Sequence, residues 1–374
     1  MAGTRRLEVA GAAHRLVTAG VPLLRPDAQV FEAMLEGWRQ QQLSRNLAFG
    51  TVEARLELLR RFQEHSGEFP WQWTPQHLEE WSTDLRAVRG VALSTVRAYQ
   101  LGVRAFLAYV CEPAYGWDAE CERRFGTHPV QISHEWNSAR HILDVEGRPG
   151  RRALTRAELQ QLFDAADEAV EEIRRKGRKG VLAAFRDAAM LKTAYAFGLR
   201  RRELVRLEAH DFGRNPKAAE FGDFGVCYVR FGKASHGSGP KRRSVLTVMP
   251  WSVDVLTEWV QEIWPHCRRE GSAALWPSER AARMSEARVN AVFARIRERV
   301  GLPDELSPHC LRHSYVTHLI EDGYDPLFVQ QQVGHEHAST LSVYTSVSSD
   351  YKTTVLRAAL DKVLEQARQE KEKR

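Results

Sequence analysis

Three short stretches of this sequence put guanidinium, imidazole and phenol groups where they could act together on a phosphate. The first runs from Ser307 to His313 (SPHCLRH). Ser307 suits a helix N-cap and Pro308 the first helical position. His309 then falls in the first turn with Arg312 three residues on, so both share one helix face near the positive end of the dipole. An arginine and a histidine converging there can hold a phosphate. The second stretch, Phe197 to Leu204 (FGLRRREL), ends one helix at Gly198 and opens another at Arg200. Glu203 lies three residues after Arg200 and can orient its guanidinium, while Leu199, Leu204 and Leu207 draw the segment partly inside. An arginine held this way is a typical bidentate phosphate ligand. The third stretch is Val333, Gly334 and His335, in which Gly334 closes a helix, and Tyr344 follows nine residues after His335. Each signal is weak alone. An H-x-x-R pair is common on surface helices, a run of arginines usually solubilises, and a single tyrosine usually packs.

Taken in chain order, with the Arg200–Glu203 segment first, His309–Arg312 next, then His335 and Tyr344, and at these spacings, the set resembles the tyrosine recombinase (phage integrase) family. The resemblance covers the C-terminal part of the chain, and the order helical domain, linker, catalytic domain is also similar to that family. It implies that Arg200 is the first catalytic arginine, His309 and Arg312 the H-x-x-R pair, His335 the second histidine position and Tyr344 the nucleophile. Glu203 matches a supporting acidic position, and Asp211 another that is structural. The family carries a lysine in a β-hairpin turn, which Lys233 matches after Phe231 and Gly232. The loop beyond Lys233 (ASHGSGP) is longer than the usual tight turn, which leaves Lys241 as an alternative.

The implied activity is site-specific DNA breakage and rejoining. Strand exchange without an energy cofactor has to store the broken phosphodiester in a covalent link, and a tyrosine can do so as a 3′-phosphotyrosine. Two arginines and a histidine can stabilise the charge that develops on the non-bridging oxygens without a metal. A lysine near the leaving 5′-oxygen can serve as general acid. Alternatives are the same chemistry in a type IB topoisomerase-like or hairpin-resolving enzyme, a catalytically inactive DNA-binding regulator, and a metal-dependent nuclease. His309, His313 and His318 could suggest zinc, but no H-E-x-x-H occurs and Arg312 on the same turn opposes a cation. No metal or cofactor is expected. The expected partner is double-stranded DNA, bound by a homotetramer through exchange of C-terminal helices. The stripe Leu356, Leu360, Val363 and Leu364 could equally pack on its own domain.

The elements that must position these groups make a mainly α protein. The expected domains are a lead-in over 1–26, a helical DNA-binding (core-binding) domain over 27–111, a linker over 112–152, and a mostly helical catalytic domain over 153–374 with a small antiparallel hairpin. Val52, Leu56, Leu59 and Phe62 recur at helical spacing, as do Val96, Tyr99, Val103, Phe106 and Val110. Thr74 with Pro75, and Ser94, mark helix starts, and Trp71, Trp73 and Trp81 belong to a core. From Glu112 the glycines and prolines suggest an extended linker with some local structure, ending in a basic strap. Thr155 with Glu158 is a capping box. Helices are expected near 156–175, 181–197, 252–263, 284–299, 309–322, 326–333 and from 352, and strands at Val226–Phe231 and Ser244–Met249.

The chain carries a net charge of +6 and a pI of about 9.1. Between Arg140 and Arg243 there are 23 lysines and arginines against 14 acidic residues, so the basicity sits mid-chain, as a polyanion-facing surface requires. Arg148, Arg151, Arg152, Lys241, Arg242 and Arg243 are the expected DNA-backbone contacts. Five widely spaced cysteines fit neither a disulfide framework nor a zinc ribbon. No apolar run approaches a membrane span, and no signal-peptide core is seen. A cytoplasmic, nucleoid-associated location is expected.

Overall fold

The computed structural model describes residues 9, 11–17, 24–140, 152–232 and 239–334. The chain divides into two units, one within residues 9–140 and one within 152–232 and 240–334, each with its own apolar core.

In the first unit a short helix α1 (Ala13–Leu16) precedes four long ones, α2 (Pro26–Ser44), α3 (Phe49–Ser66), α4 (Pro75–Ala87) and α5 (Leu93–Val110). Each long helix buries one stripe: Val30, Met34 and Trp38 on α2, Val52, Leu56, Leu59 and Phe62 on α3, Val96, Val103, Phe106 and Val110 on α5. The tryptophans pack this core. The Phe62 ring lies 4.7 Å from Trp73 and 4.9 Å from Trp81. Thr74 is the N-cap of α4 with Pro75 in its first turn, whereas α5 starts at Leu93 with Ala92 as N-cap, one residue ahead of Ser94.

Two readings change. The lead-in is partly structural, because Ala13 and Val17 are buried and the Tyr109 hydroxyl donates to the Gly11 carbonyl at 2.6 Å. The stretch from Glu112 to Arg140 is not an extended linker. Helix α6 (Trp117–Phe125) turns Trp117 and Cys121 into the first core, and Ile132 joins them. Trp117 Nε1 donates to Tyr109 Oη at 2.9 Å. Gly116 and Gly126 look like breakers in sequence, but with φ of 66° and 70° they begin and end this helix.

The second unit opens with α7 (Arg156–Arg175), capped as expected: Thr155 N–H donates to Glu158 Oε2 at 2.8 Å and Glu158 N–H to Thr155 Oγ1 at 3.2 Å. It packs on α8 (Val181–Ala196), which is followed by the short α9 (Arg201–Val205). A three-stranded antiparallel sheet follows, in the order β1 (Phe212–Gly213), β2 (Val226–Val229), β3 (Arg243–Leu246), with Cys227 opposite Val245. The two-residue β1 is too short to leave a period-two pattern. The single helix expected over 252–263 is three pieces: α10 (Trp251–Thr257), a π-helical turn (Glu258–Ile263) and α11 (Trp264–Cys267). Pro265 has no N–H for the helical ladder, and the widened turn lies directly ahead of it. Then come α12 (Glu286–Arg299), α13 (His309–Glu321) and α14 (Pro326–Val333), which ends on Gly334 in the left-handed region. The last expected helix, from 352, lies outside the described residues. The protein is thus mostly α-helical with one small antiparallel sheet.

No described helix is long and apolar enough to cross a membrane. Cys111, Cys121, Cys227, Cys267 and Cys310 are all unbridged thiols.

If α6 belongs to the first core, Trp117→Ala will lower stability by about 3–5 kcal/mol. Urea unfolding of the full chain, followed by tryptophan fluorescence, checks this; a linker residue would leave the first transition unmoved.

Candidate active site

The site is assembled at helix ends. Helix α8 stops in a turn where Gly198 N–H donates to Tyr195 O (3.0 Å) and Leu199 N–H to Ala194 O (3.0 Å), the bond pattern of a Schellman cap. Gly198 has φ of 55°, and a Cβ there would lie 2.5 Å from the Tyr315 ring, so glycine is required on two counts. The turn delivers Arg200 to the N-cap of α9. Arg200 N–H donates to Glu203 Oε2 at 2.8 Å, and its Nη1 to Oε1 at 2.9 Å. The expected carboxylate-oriented arginine is present, with its side chain 29% exposed.

Glu203 is the centre of the arrangement. Its side chain is 1% exposed and serves three arginines. Arg243 on β3 forks onto it, Nη1 to Oε1 and Nη2 to Oε2, both at 2.8 Å. Arg312 Nη1 lies 3.9 Å from Oε2. Burial works to raise the Glu203 pKa. The hydrogen bonds and charge of Arg243, the charge of Arg312 and the Arg200 N–H outweigh it and hold the carboxyl at about 2. Three guanidinium charges around one carboxylate leave the cluster strongly cationic.

Arg312 is fully buried. Its Nη1 donates to Gly198 O at 2.6 Å and its Nη2 to Val333 O. One side chain therefore ties α13 to the turn before Arg200 and to the end of α14. His309 sits one turn earlier, exposed, at the start of α13. Its ring is 4.7 Å from that of His313. The N-cap position is Pro308, one residue after the expected Ser307. His318 is structural: Nδ1 pairs with the Tyr195 hydroxyl at 2.9 Å and Nε2 with Leu154 O at 3.0 Å, and burial lowers its pKa. Asp211 is buried, accepting from Arg230 and from Glu208 N–H.

Of the residues singled out in sequence, the structure brings Arg200, Glu203 and Arg312 together and sets His309 on the helix that carries Arg312. Lys233, His335, Tyr344, Arg148 and Arg151 lie outside the described residues. Arg152 is at the surface but forks onto Glu158, both contacts at 2.6 Å. Arg242 is exposed and Lys241 half-buried, with the Lys241 carbonyl accepting from Gly232 N–H at 2.9 Å. Arg243 requires a correction. Expected to lie on the DNA backbone, it is turned inward with its side chain only 12% exposed, because the buried Glu203 carboxylate needs a countercharge. No spacing rule could find this pair, which is 40 residues apart in the chain.

The sequence reading also passed over a cleft of roughly 640 Å³ in the first unit, lined by Arg97, Leu101, Arg104, Trp136 and Arg140 among others. Trp136 is 70% exposed, with the His134 ring stacked on it at 5.3 Å. Arg97, Leu101 and Arg104 repeat at helical spacing on α5, a signal legible without the structure. Among the described residues no group of three or more histidine, cysteine or acidic side chains could hold a metal ion.

Residues 152–350 match the model of the phage integrase family. A tyrosine recombinase XerC of Herpetosiphon aurantiacus is 26% identical over 74% of this chain and 92% of its own length. A tyrosine recombinase XerD of Corynebacterium glutamicum is 29% identical over 46% of this chain, which spans about half (52%) of that relative. In fold, the chain is similar to the Tn1549 transposon integrase in a complex with transposon right end DNA, with a TM-score of 0.61 at 17% identity, covering 88% of this chain and 98% of that one. The chain belongs to the phage integrase family, the tyrosine recombinases. It is an enzyme of site-specific DNA recombination.

Replacing Glu203 by Gln would leave Arg243 and Arg312 without their buried countercharge, at a cost of about 3–5 kcal/mol near neutrality. The folded carboxyl titrates near 2 against an ordinary 4.5. Its contribution is therefore complete above about pH 4.5 and is lost as the pH falls towards 2. In urea unfolding the gap between the wild type and Glu203→Gln should stay constant from pH 8 to 5.5 and narrow below 4.5. A gap that is flat to the lowest folded pH would show that the carboxylate charge contributes nothing.

Proposed function

We propose that this recombinase cuts duplex DNA by attack of the Tyr344 phenol on phosphorus, giving a 3′-phosphotyrosine and a 5′-hydroxyl. Arg200 and Arg312, with His309 and His335, hold the non-bridging oxygens as charge builds on them. Glu203 orients Arg200. Lys233 in the hairpin turn, or Lys241 beyond it, gives a proton to the departing 5′-oxygen. Attack by the 5′-hydroxyl of another strand reverses the step and releases the tyrosine, so the bond energy is conserved and no nucleotide or metal ion takes part.

The observation that carries this reading is the gathering of Arg200 and Arg312 about one buried carboxylate. A fixed guanidinium pair needs no reorganisation when the phosphorane forms, and each such donor is worth roughly 3–4 kcal/mol of barrier. The domain roles follow. Residues 27–111, with the basic cleft of α5, would grip one side of the duplex as a core-binding domain, and the unit from 153 onward the other. Arg148, Arg151, Arg152, Lys241 and Arg242 would lie along phosphates, making the affinity steeply salt-dependent. Two duplexes recombining call for four protomers, joined by exchange of the helix carrying Leu356, Leu360 and Leu364. Such an enzyme would act in the cytoplasm, on the nucleoid.

The test uses nicked duplex suicide substrates drawn from the DNA flanking its own gene. Wild-type protein should form a covalent adduct that survives denaturing electrophoresis and is unaffected by EDTA. Tyr344→Phe should retard the same DNA and form none. Cleavage by Tyr344→Phe, or loss of the adduct in chelator, would overturn the proposal.

A further inference from the structure

We infer that Arg243 is a positioning residue for strand cleavage: one guanidinium that locks the Glu203–Arg200 pair to the end of the helix preceding His335. The inference rests on the reading above. Both Nη atoms of Arg243 are committed to Glu203 at 2.8 Å, while its Nε donates to the Gln332 carbonyl at 2.9 Å. That carbonyl is among the last four of α14, which lack partners within the helix. Gly334 N–H takes two of them, those of Gln330 and Gln331. Arg312 takes Val333, and Arg243 takes Gln332.

A second fastening lies alongside. The Gln332 side chain pairs with Leu246 like a strand residue, its Oε1 accepting from Leu246 N–H and its Nε2 donating to Leu246 O, both at 2.9 Å. Helix α14 is thus stitched to the edge of β3 at the residue that Arg243 also holds. Gly334 seals the contact, since a Cβ there would come within 3.0 Å of Arg243 Cδ. A cation at this helix end also matches the negative pole of its dipole. Arg243 can therefore transmit a displacement of α14 to Arg200 through Glu203, and the reverse. It does not need to touch the substrate to do so.

The duplex that wild-type protein cleaves serves as the probe. Arg243→Ala should lower the rate of covalent adduct formation about 100-fold, with DNA affinity and the slope of log affinity against log salt within twofold of wild type. Arg243→Lys keeps the charge but cannot bridge two partners, and should recover no more than a tenth of the rate. Adding Glu203→Gln to Arg243→Ala should cost no more than the worse single change, because both break one linkage. Assays are run where circular dichroism shows each variant fully folded, so a purely structural role would leave the rate unmoved. A salt slope reduced by about one would make Arg243 a phosphate contact and overturn the inference. So would an unchanged rate, additive losses, or full activity in Arg243→Lys. If wild-type protein forms no adduct, the functional reading itself fails and this inference falls with it.

Discussion

One buried carboxylate organises the second unit. Glu203 cannot stay ionised inside a protein without cations, and the fold answers with three arginines from three separate segments: the turn before α9, strand β3 and helix α13. The attraction works in both directions. The carboxylate is kept charged by its partners, and the partners are kept in place, partly dehydrated, by the carboxylate. A rigid cationic cluster left with excess positive charge suits an enzyme that must meet a phosphodiester and stabilise it at its most charged.

The means of placement is the unsatisfied helix end. The last carbonyls of α14, the Gly198 carbonyl in the turn after α8 and the Arg200 N–H that opens α9 need partners from outside the helical ladder, and the side chains of Arg312, Arg243 and Glu203 supply them. Arg312 donates to Gly198 O and Val333 O, and Arg243 donates to Gln332 O. Backbone groups that would otherwise be unpaired thus fix the side chains. The glycines at 198 and 334 permit it, since both have positive φ and a neighbouring side chain crowds the space a Cβ would take.

The first unit is built on a different principle, a core of aromatic rings with few buried charges. Phe62, Trp73 and Trp81 set its centre, and Trp117 closes it through hydrogen-bonded contact with Tyr109. Its polar chemistry lies at the surface, where Arg97, Arg104 and Arg140 line one cleft with the exposed Trp136.

Much of this was legible in residue order. Helical periodicity located α3 and α5, the Thr155–Glu158 box fixed where α7 begins, and Gly198 and Gly334 marked two helix ends, because these signals are local. The same locality makes Arg200 and Glu203 visible as a pair, and the H-x-x-R spacing visible as a motif. Local reading failed where meaning depends on distant partners. Gly116 and Gly126 looked like linker breakers until Trp117 had a core to enter. The two residues of β1 have no pattern of their own. Arg243 looked like one more surface cation in a basic run, since nothing within ten residues reveals that Glu203, forty positions earlier, is buried and needs its charge. Residue types and short spacings determined the chemistry available to this chain; only the tertiary structure decided which arginines face inward, because burial of a charge is settled by everything that surrounds it.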